Sequence, residues 1–312
     1  MMNSWIADGV WPTMLTPFTE DNKIDYPALE QLIEWYIARG VDGLFAVCQS
    51  SEMFFLSLEE RVQLARFVNE RVAGRIPVIA SGHVSDNMED QIEEIRQIAD
   101  TGIAAFVLVT NRLAAASEPD EVWKANAVRL LEEVPDVKFG LYECPHPYKR
   151  LVSPELLKWC ADTGRFLFLK DTCCDIGQIR AKLEAVRGSD LKLYNANSAT
   201  LLASLQLGAA GFSGVMANFH PELYVWLTKH WQEQPEKAEQ LQHFLGTASF
   251  AELQYYPVNA KYYLQLEGIP VTTVCRSKDA AQFTRNRQLE VEQLRKLTKL
   301  YAKYLSLQPV IS

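Results

Sequence analysis

Phe166-Leu167-Phe168-Leu169-Lys170-Asp171 is the stretch on which the reading of this 312-residue chain turns. Four apolar residues run without a break into a lysine, with Gly164 just upstream. An apolar run of that length bounded by a glycine reads as a strand covered on both faces. A lysine at the C-terminal end of such a strand is costly to desolvate, and burial lowers its pKa. The neutral fraction of amine that results is what attack on a carbonyl carbon requires. The competing reading is a solvated lysine just past the strand end, and the stretch alone does not choose between the two.

The same strand-then-helix unit recurs on both sides of it. Apolar strands are expected at residues 9–18, 43–48, 77–80, 104–109 and 137–142 upstream, and at 191–195 and 211–215 downstream. Helical spacing separates them, over residues 26–39, 58–72, 88–100, 120–133, 154–163, 176–186, 199–207 and 221–231. The punctuation agrees with this division. Ser57 and Glu60 have capping-box spacing, Ser153-Pro154 opens a helix, and Gly40 and Gly102 close two others. Eight strands alternating with eight helices predict an α/β fold of the (β/α)8 (TIM) barrel type over residues 1–232. An open doubly wound sheet is the rival, but no G-x-G-x-x-G follows the first strand. Residues 233–312 carry helical signals only, at 235–245, 259–266 and 279–305, and are expected to form a helical extension packed on the barrel.

A formal charge of −8 without any basic stripe argues against nucleic acid as a partner. No run approaches the ~18 apolar residues of a membrane span. Met1-Met2-Asn3-Ser4-Trp5 lacks a charged segment followed by an apolar one, so no secretory signal is expected. The six cysteines show no C-x-x-C pair and no Cys/His spacing suited to zinc. Free thiols, a cytoplasmic location and no metal are the expectations.

In a barrel of this type the strand C-termini converge on one mouth, where chemistry belongs. Those ends carry Thr16, then Cys48-Gln49-Ser50-Ser51-Glu52, then Tyr142, Lys170 and Asn195 to Asn197. Lys170 and Tyr142 make a plausible amine nucleophile and proton shuttle on adjacent strand ends. The serine-rich turn offers hydroxyl and backbone N–H donors to a carboxylate. The constellation fits Schiff-base chemistry on a 2-keto acid.

In these motifs the chain resembles the family of dihydrodipicolinate synthase and N-acetylneuraminate lyase, pyruvate-dependent class I aldolases. That family shows G-[ST]-[ST]-G-E after strand 2, Y-N-x-P after strand 5, and lysine followed by an acidic residue at the end of strand 6. Here they stand as Cys48-Gln49-Ser50-Ser51-Glu52, Tyr142-Glu143-Cys144-Pro145 and Lys170-Asp171. The ordered set of three, with Leu207-Gly208 and Gly211 before strand 8, carries the resemblance over nearly the whole chain. It implies that Lys170 forms the imine, that Tyr142 shuttles protons, and that Ser50 holds the keto acid's carboxylate within a turn shared with Gln49 and Ser51. It places a backbone contact to pyruvate at Phe212 and leaves Glu52 as a brace. It further implies a homo-oligomer, a dimer or a tetramer built from dimers, and no cofactor beyond the covalent lysine imine.

The departures bear on the second substrate. Gln49 stands where the family's first Ser/Thr relays protons, and an amide cannot do so as a hydroxyl does. Residues 109–113 lack the family's paired tyrosines, Pro147 replaces the arginine of dihydrodipicolinate synthases, and Glu143 replaces an asparagine. Lys149-Arg150 is a candidate substitute cation or a solvated pair. The sequence therefore predicts a lyase or aldolase acting on pyruvate, or on a 2-keto acid that yields it, together with an aldehyde. The alternatives are a 2-keto-3-deoxy sugar acid dehydratase, a 4-hydroxy-tetrahydrodipicolinate synthase, which these departures disfavour, and a barrel that binds a keto acid without catalysis.

Overall fold

The computed structural model describes residues 6–307, so the expectation resting on Met1 to Trp5, and the last five residues of the predicted extension, lie outside it. Eight parallel strands form one sheet in the order β1-β8-β7-β6-β5-β4-β3-β2. They are β1 (Gly9–Val10), β2 (Leu44–Phe45), β3 (Val78–Ala80), β4 (Ala105–Val109), β5 (Phe139–Tyr142), β6 (Phe166–Asp171), β7 (Lys192–Asn195) and β8 (Gly211–Phe212). The sheet closes on itself beyond β1, where Thr13 bridges Phe45 in parallel and Met14 N–H donates to the Phe45 carbonyl at 3.0 Å. The helices between the strands are α1 (Tyr26–Ala38), α2 (Leu58–Val72), α3 (Met88–Ala99), α4 (Asp120–Glu133), α5 (Pro154–Asp162), α6 (Ile176–Ala185) and α7 (Leu201–Gln206), and α8 (Pro221–His230) follows the last strand. This is the predicted (β/α)8 barrel. Beyond it come α9 (Pro235–Ala248), α10 (Val258–Leu266) and α11 (Arg285–Tyr304). α9 packs on α7 and α8, and α11 packs on α8 and α10.

Alternation along β6 decides what lies under the mouth. Phe168 and Lys170 face the barrel axis, while Leu169 and Asp171 face the helices. Phe168 stacks on Tyr194 with ring centroids 4.4 Å apart and meets Trp11 and Phe45 edge-on at 5.5 and 6.4 Å. These four rings fill the barrel interior as a dry layer next to Lys170. Two glycines make room for them. A Cβ on Gly43 would stand 2.4 Å from the Trp11 ring, and one on Gly140 3.1 Å from the Phe168 Cβ.

Candidate active site

Tyr142 and Lys170 are register partners across β5 and β6, so one hydrogen-bonded step of the sheet sets their side chains together. The Lys170 amine lies 4.4 Å from the centre of the Tyr142 ring and 5.9 Å from that of Phe45. Lys170 is 3% exposed, and among the described residues its amine makes no hydrogen bond or ion pair. Burial pushes its pKa below the ordinary lysine value, with Cys48, Cys144 and Glu252 acting against the shift. Burial acts the opposite way on Tyr142, which it holds well above the usual phenol value.

The turn after β2 reaches across the mouth to the end of β5. The Tyr142 hydroxyl donates to Gln49 Oε1 at 3.3 Å, and the Cys144 thiol approaches the same oxygen at 3.4 Å. One step further out, Phe54 meets His146 edge-on at 4.7 Å. Ser50 is buried, and its hydroxyl donates to Thr13 Oγ1 at 3.1 Å. Ser51 is differently placed. Its hydroxyl donates to the Cys48 carbonyl and accepts from the Cys48 N–H, both at 2.7 Å, so the side chain is consumed within the turn. Its carbonyl is pinned by the Thr16 hydroxyl at 2.9 Å. Phe212 ends β8 with its ring stacked on Tyr224 at 4.0 Å, and its carbonyl already accepts from Trp11 N–H at 2.8 Å.

Glu52 occupies the left-handed region at φ 63° and is buried. Its carboxylate accepts from the Lys261 amine at 3.2 Å and from the backbone N–H of Arg276 and of Ser277, each at 2.7 Å. It ties the turn to α10 and to the loop after it. Asn195 spends its amide on Thr200 and Ser204 and lies outside the site. His83 is likewise structural. It accepts from Val109 N–H at 2.7 Å, bonds Gln91 at 3.0 Å, and burial lowers its pKa to about 4.

Both cations offered by the loop after β5 are occupied. Lys149 donates to the Thr172 carbonyl at 2.8 Å, and Arg150 pairs with Asp120 at 2.8 Å while donating to the Ala115 and Glu118 carbonyls. Glu252, which the sequence reading missed, belongs to the short 3-10 turn Ser249–Leu253 of the extension. That turn packs against a second one, Val215–Asn218, which follows β8 at the mouth. Burial pushes the Glu252 carboxyl up to about 6, and Lys170 is near enough for its ammonium to oppose the rise. No motif marks it in the sequence, because its position depends on how the extension folds back. Among the described residues no group of three or more His, Cys, Asp or Glu is placed to hold a metal ion.

Fold and site together define a (β/α)8 barrel with a buried amine, unpaired among the described residues, at its C-terminal mouth. The family profile described as "Dihydrodipicolinate synthetase family" matches residues 7–297, and the chain belongs to that family. It is 30% identical over 239 residues, 75% of this chain and 77% of the relative, to "Putative 2-dehydro-3-deoxy-D-gluconate aldolase YagE" of Escherichia coli (strain K12). It is 29% identical over 209 residues to a 4-hydroxy-tetrahydrodipicolinate synthase of Clostridium perfringens, covering 67% of this chain and 70% of that one. The crystal structure of YagE in complex with pyruvate superposes with a TM-score of 0.85 at 25% identity, over 94% of this chain and 99% of YagE. Dihydrodipicolinate synthase from Thermotoga maritima superposes at 0.84, over 95% and 99%, with 21% identity, a likeness of fold.

Proposed function

We propose that this protein is a Schiff-base lyase or aldolase acting on pyruvate, or on a 2-keto acid that yields pyruvate and an aldehyde. The observation that carries the reading is the Lys170 amine, buried against Tyr142 at the end of β6 and unpaired among the described residues. Neutral Lys170 adds to the keto carbon, and the Tyr142 hydroxyl gives its proton to the carbinolamine oxygen, which leaves as water. The protonated imine then draws in the electron pair of the breaking carbon–carbon bond. An aldehyde departs as the Tyr142 phenolate left by the first proton transfer takes the proton of the substrate's hydroxyl, and an enamine remains. A proton returned through Tyr142 to the enamine carbon, followed by hydrolysis, releases pyruvate and regenerates the amine. Ser50, with the backbone N–H groups of its turn, holds the carboxylate. Gln49 orients Tyr142 by accepting a hydrogen bond from its hydroxyl, and Phe212 borders the keto acid. The lysine itself supplies the electrophile, so no metal or organic cofactor enters.

The pyruvate complex of YagE supports the keto acid half of this reading. On the aldehyde side, Pro147 stands in place of an arginine, and Lys149 and Arg150 are both engaged elsewhere. That favours an aldehyde without a carboxylate over the substrate of a 4-hydroxy-tetrahydrodipicolinate synthase. A dehydratase using the same imine is the second reading, and products separate the two. Cleavage of a deoxy keto sugar acid gives pyruvate and an aldehyde, whereas dehydration keeps the carbon skeleton whole. A homo-oligomer, a cytoplasmic location and a division of the chain near residues 232 and 233 into barrel and extension belong to the same proposal.

Borohydride reduction in the presence of pyruvate, read by intact mass and peptide mapping, tests it. We expect a pyruvate-derived adduct on Lys170 that is absent from Lys170→Ala. Well-folded protein that yields no adduct with pyruvate or with longer 2-keto acids would overturn the reading.

A further inference from the structure

The residues that follow Tyr142 and Lys170 in sequence, Glu143 and Asp171, face away from the mouth toward the helices. Both end on one ammonium. Lys182 of α6 lies 2.5 Å from Glu143 Oε1 and 2.5 Å from Asp171 Oδ2, and none of the three side chains is more than 1% exposed. The remaining acceptor capacity is used locally. Glu143 accepts the N–H of Val152 and of Thr172 at 2.9 Å each, and Asp171 accepts that of Cys173 at 3.1 Å. Burial opposes the charge on Lys182, but the two carboxylates outweigh it and hold its pKa above the ordinary value. Two carboxylates and one ammonium buried together are a poor way to stabilise a fold, since apolar side chains of similar volume often do as well or better. What the cluster does supply is geometry, because it joins the ends of the two strands that carry the reacting pair.

We propose that Lys182 is a positioning residue which, by binding Glu143 and Asp171 at once, holds Tyr142 and Lys170 at their working separation and so sets the rate of imine formation. The proposal rests on the imine reading above. Misplacing reacting groups by about 1 Å costs on the order of 10²-fold in rate. Ser50 and its turn are not attached to the cluster, so the half-saturating pyruvate concentration is not expected to follow the rate.

The test is the time course of borohydride-trapped adduct at several pyruvate concentrations. It compares wild type, Lys182→Met, Lys182→Arg, and the uncharged triple variant Glu143→Gln/Asp171→Asn/Lys182→Met, each checked for fold by circular dichroism. We expect Lys182→Met and the triple variant to trap about 10²-fold more slowly, with half-saturation within about threefold of wild type. Lys182→Arg, which keeps a cation between the carboxylates, should recover most of the loss. A folded Lys182→Met or triple variant trapping at the wild-type rate overturns the proposal, as does a loss that appears only in half-saturation. If neither variant folds, the cluster is a stability element and the proposal also falls. A wild type that forms no adduct overturns the imine reading together with it.

Discussion

Lys170 and Tyr142 are shifted in opposite senses by the same cause. Burial disfavours the ammonium at one and the phenolate at the other, so a range of pH exists in which an unprotonated amine faces a protonated hydroxyl. Adduct formation with pyruvate should therefore rise with pH through an inflection below the 10.5 of an ordinary lysine. A trapping-rate profile measured from pH 6 to 11.5 checks this, and an inflection at or above 10.5 would contradict it. Gln49 bears on the proton side of the same pair. The amide accepts from Tyr142 but cannot pass a proton onward, so it orients the hydroxyl. Gln49→Ala should lower kcat about tenfold, toward or below the small end of general acid–base effects, with little change in pyruvate KM.

The proposed pair stood out in the sequence, Lys170 because a charge closes an apolar run and Tyr142 because it closes the neighbouring strand. Ser51 was legible only as part of a turn, and nothing in Ser50-Ser51 tells which hydroxyl the turn consumes. Lys182 was invisible as well. It reads as one more polar position of an amphipathic helix until the fold sets it against Glu143 and Asp171.

Among the elements, helices kept their predicted bounds within a residue or two where caps punctuate them, as did β3 to β7, while β1, β2 and β8 came out shorter. The first strand was expected over residues 9–18 and is regular only over Gly9–Val10. Pro12 and Pro17 have no N–H to give a ladder. The segment still follows both neighbours, through Trp11 N–H to Phe212 on one side and Met14 N–H to Phe45 on the other. The eighth strand stops at Phe212 because residues 215–218 coil into a 3-10 turn. The last helix begins at Arg285 rather than near residue 279, since Ala280–Gln282 forms a separate 3-10 turn ahead of it. At the start of α2 the predicted capping box is complete. Ser57 accepts from Glu60 N–H at 3.1 Å, and Glu60 accepts from Ser57 N–H at 3.0 Å. Glu60 also takes both guanidinium nitrogens of Arg276 at 2.7 Å. Ser57→Ala should cost about 1 kcal/mol, the usual worth of a cap. Glu60→Ala should cost more, because it also releases the loop after α10. Denaturation midpoints in urea would rank the two, and equal costs would mean that the Arg276 pair adds nothing.

At the scale of the molecule, the extension and the barrel mouth meet at one buried ion pair. Glu52 and Lys261 are each 1% exposed at the side chain, and the ammonium also donates to the Val274 carbonyl at 2.6 Å and sits 4.6 Å from the centre of the Phe18 ring. Removing one partner strands the other in a dry place, which costs about 3–5 kcal/mol for buried pairs in general. Removing both leaves no charge to strand. Glu52→Gln and Lys261→Met should therefore each lower the denaturation midpoint sharply, while the double variant should be more stable than the sum of the two losses predicts. The functional consequence follows from which turn is loosened. Glu52 closes the segment that presents Ser50, so these variants should raise KM for pyruvate more than they lower kcat. Substitutions at Lys182 should do the reverse, since that residue acts on the strands behind Lys170 and Tyr142. Steady-state kinetics on the two sets, run at a temperature where all variants remain folded, would show the crossed pattern. A common loss of kcat in both sets would mean that carboxylate binding and imine formation are not held by separate parts of the fold.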